Sequence, residues 1–305
     1  MPSLHAPTID NTVGAAYLGV VGSAFLYGVT TLQMYWYYHQ FDRDPWLHKY
    51  SVAILWVLDT FHLAITVHAV YVYTITGFGN VEGLQHILWS IKLQVSINVV
   101  VVLMVQSLYA YRVWILGGYH GGVLGYLVAA VVAAGFAIGI IIAYQIYTVD
   151  KYKELDAVGW AINASLATST AIDFVIAGAM CFYLRKSKGS ETRLNSRISR
   201  MMQYTLSSGL FTSACSLSAM FSYILLPETF IFLAVEFLLT KLYVGSFFAM
   251  LNARERPREP KTSDEENSVG MSQLRLQFRA PSDHSSLPSP AQPTPYSAPG
   301  KVYPW

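Results

Sequence analysis

Apolar positions fall in long blocks along the chain, each about 20 residues or more, the length that crosses a bilayer as an α-helix. Seven blocks stand out, at 14–38, 51–75, 85–111, 121–147, 158–184, 201–226 and 228–251. The pattern predicts an all-α integral membrane bundle of seven transmembrane helices over 14–254. A short N-terminus (1–13) precedes it and a polar tail (255–305) follows. Pro227–Glu228 must then make a very tight turn between the last two spans. The first thirteen residues hold no Lys or Arg, and no small-residue cleavage site follows a short apolar core. No cleavable signal peptide is expected, so the first span acts as its own insertion signal. Of 13 prolines, only Pro45 and Pro227 lie between residues 14 and 251, both in expected loops. Unbroken helices argue against a transporter built on discontinuous ones.

Composition agrees. The 305 residues are 53% hydrophobic and 12% charged, with a mean hydropathy of +0.38. This excludes a soluble enzyme and a disordered chain. The net charge is +2 and the basic residues are dispersed, so no nucleic-acid partner is expected. Cys181 and Cys215 both lie in apolar stretches and build no disulfide framework.

Loop charge sets the orientation. Arg43 and Lys49, Arg112, the run from Arg185 to Arg200, and Arg254 to Lys261 all fall on one side. The other side offers Lys151 and Lys153, offset by Asp150, Glu154 and Asp156. Positive loops mark the cytosolic face, which places the N-terminus outside and the C-terminus inside. The tail is rich in Ser, Pro and charge, and reads as disordered and cytosolic. Ser263 precedes three acidic residues, and Ser289 and Thr294 precede prolines, which are kinase contexts.

Charges inside spans are costly, at about 2.5 to 3.5 kcal/mol near the bilayer centre, and so need a partner or a purpose. At about 1.5 Å per residue, Asp59, Asp173 and Lys241 lie roughly 12, 16 and 15 Å from the cytosolic ends of their spans. They share an inner layer that allows a triad, and His62 stands one turn from Asp59. An outer layer holds His68, Lys92 and Glu236, about 10 to 12 Å from the outer ends. Cross-helix pairing is expected of Lys92 with Glu236, and of Lys241 with Asp59 or Asp173. These residues are either ligand- or ion-binding groups or structural clasps.

Glycines spaced by four on span four (118/122, 121/125, 135/139) suit close packing within the fold or a homodimer face. Tyr35 to Tyr38, Trp46, Tyr109, Tyr111 and Trp114 read as an interfacial aromatic belt. No catalytic constellation, metal site or cofactor site is expected. A haem needs facing histidines from different helices, yet His62 and His68 share one span. A membrane zinc hydrolase needs three converging ligands. Lys241 sits where rhodopsins carry retinal, but the rest of that pattern is missing.

Several stretches carry a resemblance. They are Leu58-Asp59-Thr60-Phe61-His62 with His68 and Gly77-Phe78-Gly79-Asn80; Asp173-Phe174-Val175-Ile176-Ala177 with Cys181-Phe182-Tyr183-Leu184; Asn195 to Ser213; and Lys241-Leu242-Tyr243-Val244 through Leu251-Asn252-Ala253-Arg254. Together they resemble a fungal (basidiomycete) multi-pass membrane family, domain of unknown function 6534, over about residues 14 to 254. Gly245 departs from it where Asn is more usual. The resemblance implies a seven-helix membrane fold, and implies that Asp59, His62, Asp173 and Lys241 belong to the family pattern. It implies no activity. Three functions remain open: a receptor-like sensor, a transporter or proton-coupled carrier, and a structural scaffold. Expected partners are the lipid bilayer, a small or lipid-like ligand, and cytosolic proteins met by the tail and the 185–200 loop. The plasma membrane is the expected location.

Overall fold

The computed structural model describes residues 10–79, 83–118, 123–186, 192–227 and 229–254. The tail, with Ser263, Ser289 and Thr294, lies outside them, as do residues 1–9 and 119–122, and with these last the glycine pairs that involve 121 and 122. The helices in chain order are α1 (Ala15–Gln40), α2 (Trp46–Tyr71), α3 (Trp89–Gly118), α4 (Val123–Thr148), α5 (Leu155–Lys186), α6 (Thr192–Leu225) and α7 (Ile231–Asn252). Among the described residues there is no strand, and one isolated bridge joins His86 to Lys151.

These segments form helices because a helix satisfies every backbone polar group within its own segment, as lipid requires. The breaks are local. Pro45 stands just before α2. After α2, five π-helical residues lead to Gly77, and Gly79 adopts φ 81°, a left-handed conformation that suits glycine.

Among the described residues six helices are long and apolar enough to cross a membrane, which makes this a multi-pass membrane protein. In the sixth expected span, the apolar stretch of α6 found among the described residues is the shorter Gly209–Leu225. The first half of α6 carries Arg193, Arg197 and Arg200. The basic stretch expected as a loop at 185–200 is largely helical, since α5 runs to Lys186 and α6 starts at Thr192. Arg and Lys are good helix formers, so these helices continue past their apolar lengths. Arg112 is likewise not in a loop. It lies inside α3 and is buried.

The end where α1 begins is the upper end. There Phe230 N donates to Asn11 O, Ile87 N to Asp150 O, and the Tyr223 hydroxyl to Leu155 O. At the lower end Arg254 pairs with Asp44, and Asn252 Nδ2 donates to Gln33 O. Consecutive helices pack side by side, and α7 closes the ring against α1. α3 is central, touching α2, α4, α5 and α7. The surface outside the ring is apolar, with Leu18, Phe25, Leu32, Ile140 and Phe211 exposed, while polar groups point inward. That arrangement suits lipid.

Two of the belt aromatics are elsewhere. Tyr37 and Tyr109 are buried, because Tyr37 donates to Asp44 (2.9 Å) and Tyr109 packs edge-on to Phe247. Gly135 and Gly139 face α3 and α5: a Cβ at Gly135 would meet Ile172 at 2.5 Å, and one at Gly139 would meet Leu103 and Val99 at 2.9 Å. These two serve packing inside the ring. The tightest backbone approach is α1 on α7, where a Cβ at Gly19 would lie 2.7 Å from Ala234 Cα. Backbone cannot yield as a side-chain tip can. Gly19→Leu is therefore expected to cost about 1–3 kcal/mol or more by overpacking. Gly28→Ala, which meets nothing within 4 Å, is expected to be neutral. Thermal unfolding in detergent checks both.

Candidate functional site

Lys241 and Asp59 form the core contact. Lys241 Nζ lies 2.7 Å from Asp59 Oδ1 and 2.6 Å from the Asp59 carbonyl oxygen. Both side chains are 0% exposed. The Thr30 hydroxyl donates to Asp59 Oδ2 (3.0 Å), and the Tyr27 ring faces the ammonium at 5.4 Å. α1, α2 and α7 thus meet at one salt bridge.

Above it runs a chain of neutral donors. The Thr240 hydroxyl donates to Asn98 Oδ1 (2.8 Å), and Asn98 Nδ2 donates to Glu236 Oε2 (2.6 Å). With its proton given to Asn98, Thr240 is left to accept from His62 Nε2, 3.1 Å away. Gln94 Nε2 also lies 3.0 Å from His62 Nε2, while Gln94 Oε1 and His62 Nδ1 have no partner.

Asp173 does not join the expected triad. It accepts from Gln106 Nε2 (3.1 Å), the Thr212 hydroxyl (2.9 Å) and the Tyr243 hydroxyl (2.6 Å). Tyr243 also lies 2.7 Å from Ser169 Oγ. The reason is azimuth. Two residues along a helix turn about 200°, so Lys241 faces α2 while Tyr243 faces α5.

The outer layer divides too. Lys92 binds Asp150 (2.7 Å) and not Glu236, because the α4–α5 connection folds over the top of α3. Glu236 takes Asn98 instead, six residues deeper than Lys92. His68 is exposed and packs on Trp89, with ring centroids 5.2 Å apart, so it joins neither. The Lys92 ammonium beside Asp150 holds that carboxyl below the usual carboxylate range. The contact therefore adds stability above that range and loses it as pH falls through the lowered value. Burial pushes the Tyr152 phenol well above its ordinary value, so it stays neutral.

Between α3, α4, α5 and α7 lies a slot of about 110 Å³. Its lining runs from Ile87 and Tyr152 at the upper end down to Gln106 and Ile172. Along α3, from Ile91 to Gln106, that is about 22 Å. The walls are apolar except at Asn98, Gln106, Ser165, Thr168, Ser169 and Glu236, together with Tyr152. Of the expected site residues, Glu236 alone lines it. Asp173 stands behind Gln106 and Ser169, while Asp59, His62 and Lys241 are walled off. Among the described residues no group of three or more His, Cys, Asp or Glu is placed to hold a metal.

Charge alone misses much of this site. Thr30, Gln94, Asn98, Gln106, Thr240 and Tyr243 are neutral, and each completes a bond to a charged or imidazole group. A signal was present on α3, where Gln94, Asn98 and Gln106 recur at multiples of four.

Residues 169–256 match the model of a family described as Family of unknown function (DUF6534), a stretch that holds Asp173, Glu236 and Lys241. No curated protein and no solved structure matches the chain.

Removing one member of a buried ion pair leaves the other uncompensated and costs about 3–5 kcal/mol. Lys241→Met and Asp59→Asn are each expected to lower the melting temperature sharply. The double variant is expected to recover part of the loss, and additive losses would show that the pair is not coupled. Asp150→Asn, at an exposed pair, is expected to leave the melting temperature nearly unchanged.

Proposed function

We propose that this multi-pass membrane protein is a receptor-like sensor that binds a small, largely apolar ligand in the slot between α3, α4, α5 and α7. The observation that carries the reading is the slot itself, an apolar recess with a few convergent polar groups in the upper half of the bundle. One turn below its floor, Tyr109 and Ile176 are buried, and Tyr109 meets Phe247 at 5.9 Å. A ligand can settle above that layer without a route through it, which favours sensing over carriage.

Glu236 also begins the chain that reaches His62 through Asn98 and Thr240. A ligand that engages Glu236 competes with Asn98 for it, and so biases how α7 sits against α2 and α3. In this reading α6 crosses as the seventh span, over Gly209–Leu225. The lower end, with Arg43, Lys49, Arg185 and Lys186, faces the cytosol. The tail and the basic 185–200 stretch then meet cytosolic partners, and the plasma membrane is the site of action. The kinship with the fungal family extends on this reading across 14–254.

The test is a thermal-stability screen of the detergent-purified full chain against small apolar compounds. A binder at a hundredfold excess over its Kd adds about 2.7 kcal/mol. Ser165→Phe puts a ring into the slot and is expected to abolish the shift while the protein stays folded. Equal shifts in both proteins would place binding elsewhere. Uptake of the binder by reconstituted vesicles would favour a carrier, and no binder at all would favour a scaffold.

A further inference from the structure

We infer that the slot's ligand carries an ammonium group that seats on Glu236, an inference that rests on the slot being a binding site. Glu236 is the one carboxylate among the described lining residues. Both lysines near its level are committed elsewhere, Lys92 to Asp150 and Lys241 to Asp59. Among the described residues Glu236 has a single hydrogen bond, from neutral Asn98 to Oε2. A carboxylate offers about four acceptor positions. Set among Val95, Ile162, Leu233 and Leu239, it carries a desolvation cost that one amide does not offset. A cation in the slot would offset it.

The kind of cation follows from the surroundings. Metal ions of the hard class take about six oxygen ligands. Here Asn98 Oδ1 is already held by Thr240, Glu236 is the one carboxylate among the described lining residues, and most of the rest of the lining is hydrocarbon. An ammonium needs fewer acceptors, because its own N–H groups form the bonds and its carbon body fills the apolar slot. The volume sets the body's size. A dry protein cavity of about 150 Å³ admits benzene, so 110 Å³ suits a short alkyl chain or a single ring. The site is thus matched to a small primary amine with an apolar body.

The experiment compares n-hexylamine with hexan-1-ol, which differ in the head group alone. Binding to the full chain in nanodiscs is measured at neutral pH for the wild type, Glu236→Gln, Glu236→Asp and Ser165→Phe. The expected result is that the wild type prefers the amine by roughly tenfold or more, the ratio of a charge-assisted to a neutral hydrogen bond. Glu236→Gln, which keeps an acceptor for Asn98, should lose that preference and bind the alcohol as before. Glu236→Asp should retain part of it, which keeps the comparison informative if the Gln variant does not fold. Equal binding of amine and alcohol by the wild type, with both lost in Ser165→Phe, would overturn the ammonium inference and leave the slot as a binding site. Binding unaffected by Ser165→Phe would overturn both.

Discussion

Lys241 and Asp59 place opposite charges 2.7 Å apart where neither is exposed. The rest of the bundle depends on that contact. Each charge alone is costly in hydrocarbon, so the two must meet, and they can meet at only one rotation and one height of α7 against α2. The ammonium also binds the Asp59 carbonyl oxygen, tying the lysine to helix backbone as well as to a rotatable carboxylate. Once Lys241 faces α2, helical geometry dictates the rest of α7. Thr240 turns to α3 and His62, Tyr243 turns to Asp173 on α5, and Glu236, more than a turn higher, enters the slot. One helix thus meets several neighbours through successive polar residues.

The three intramembrane acids differ in how fully they are compensated. Asp59 has a cation, a hydroxyl and a place at the centre of the α1–α2–α7 contact. Asp173 has no cation among the described residues, but three neutral donors hold it, and Gln106 and Ser169 screen it from the slot. Both join helices through these bonds. Glu236 has one amide donor and an apolar recess before it. Interior position does not separate a functional acid from a structural one, since all three are interior. The three differ in how many acceptor positions are filled among the described residues, and in what the carboxylate faces.

Much of the architecture was legible in the chain. Apolar block lengths mark the helices to within about five residues, except that α3 runs on to Gly118 and α6 begins nine residues early, at Thr192, through a basic stretch. Depth along a helix follows from the rise per residue, which is why Asp59 and Lys241 could be matched at one level. Azimuth does not follow from depth. Asp173 shares the level but lies on the far side of α7, so the expected triad resolves into a pair and a separate cluster. Lys92 was misassigned for another reason. Its partner Asp150 sits in a connection whose path is set by backbone contacts such as Ile87 N to Asp150 O, which no local pattern announces. The neutral donors were passed over because a hydroxyl or amide is common in membrane helices, and its value shows only when a charge is found beside it.

How a change in the slot would reach the lower end follows from where α7 is held. Its upper approach is tied at Phe230 to Asn11, and its lower end through Asn252 to Gln33 and Arg254 to Asp44. Both anchors lie on or beside α1, and Gly19 lets α1 and α7 touch backbone to backbone. The two helices are therefore held together along their length. The polar ties of α7 to α2 and α3 include those to Asp59, His62 and Asn98, while α1 is tied to α2 through Tyr27 to Thr60 and Trp56 to Thr31. Near its middle α7 is held through Lys241 to Asp59 and, more than a turn higher, through Glu236 to Asn98. At the lower end it meets Arg112 of α3, a buried guanidinium whose side-chain contact is the thioether of Met250 on α7, at 3.0 Å. A thioether is a weak acceptor beside a carboxylate. Of the polar contacts that α7 makes below its centre, that is the one least costly to exchange.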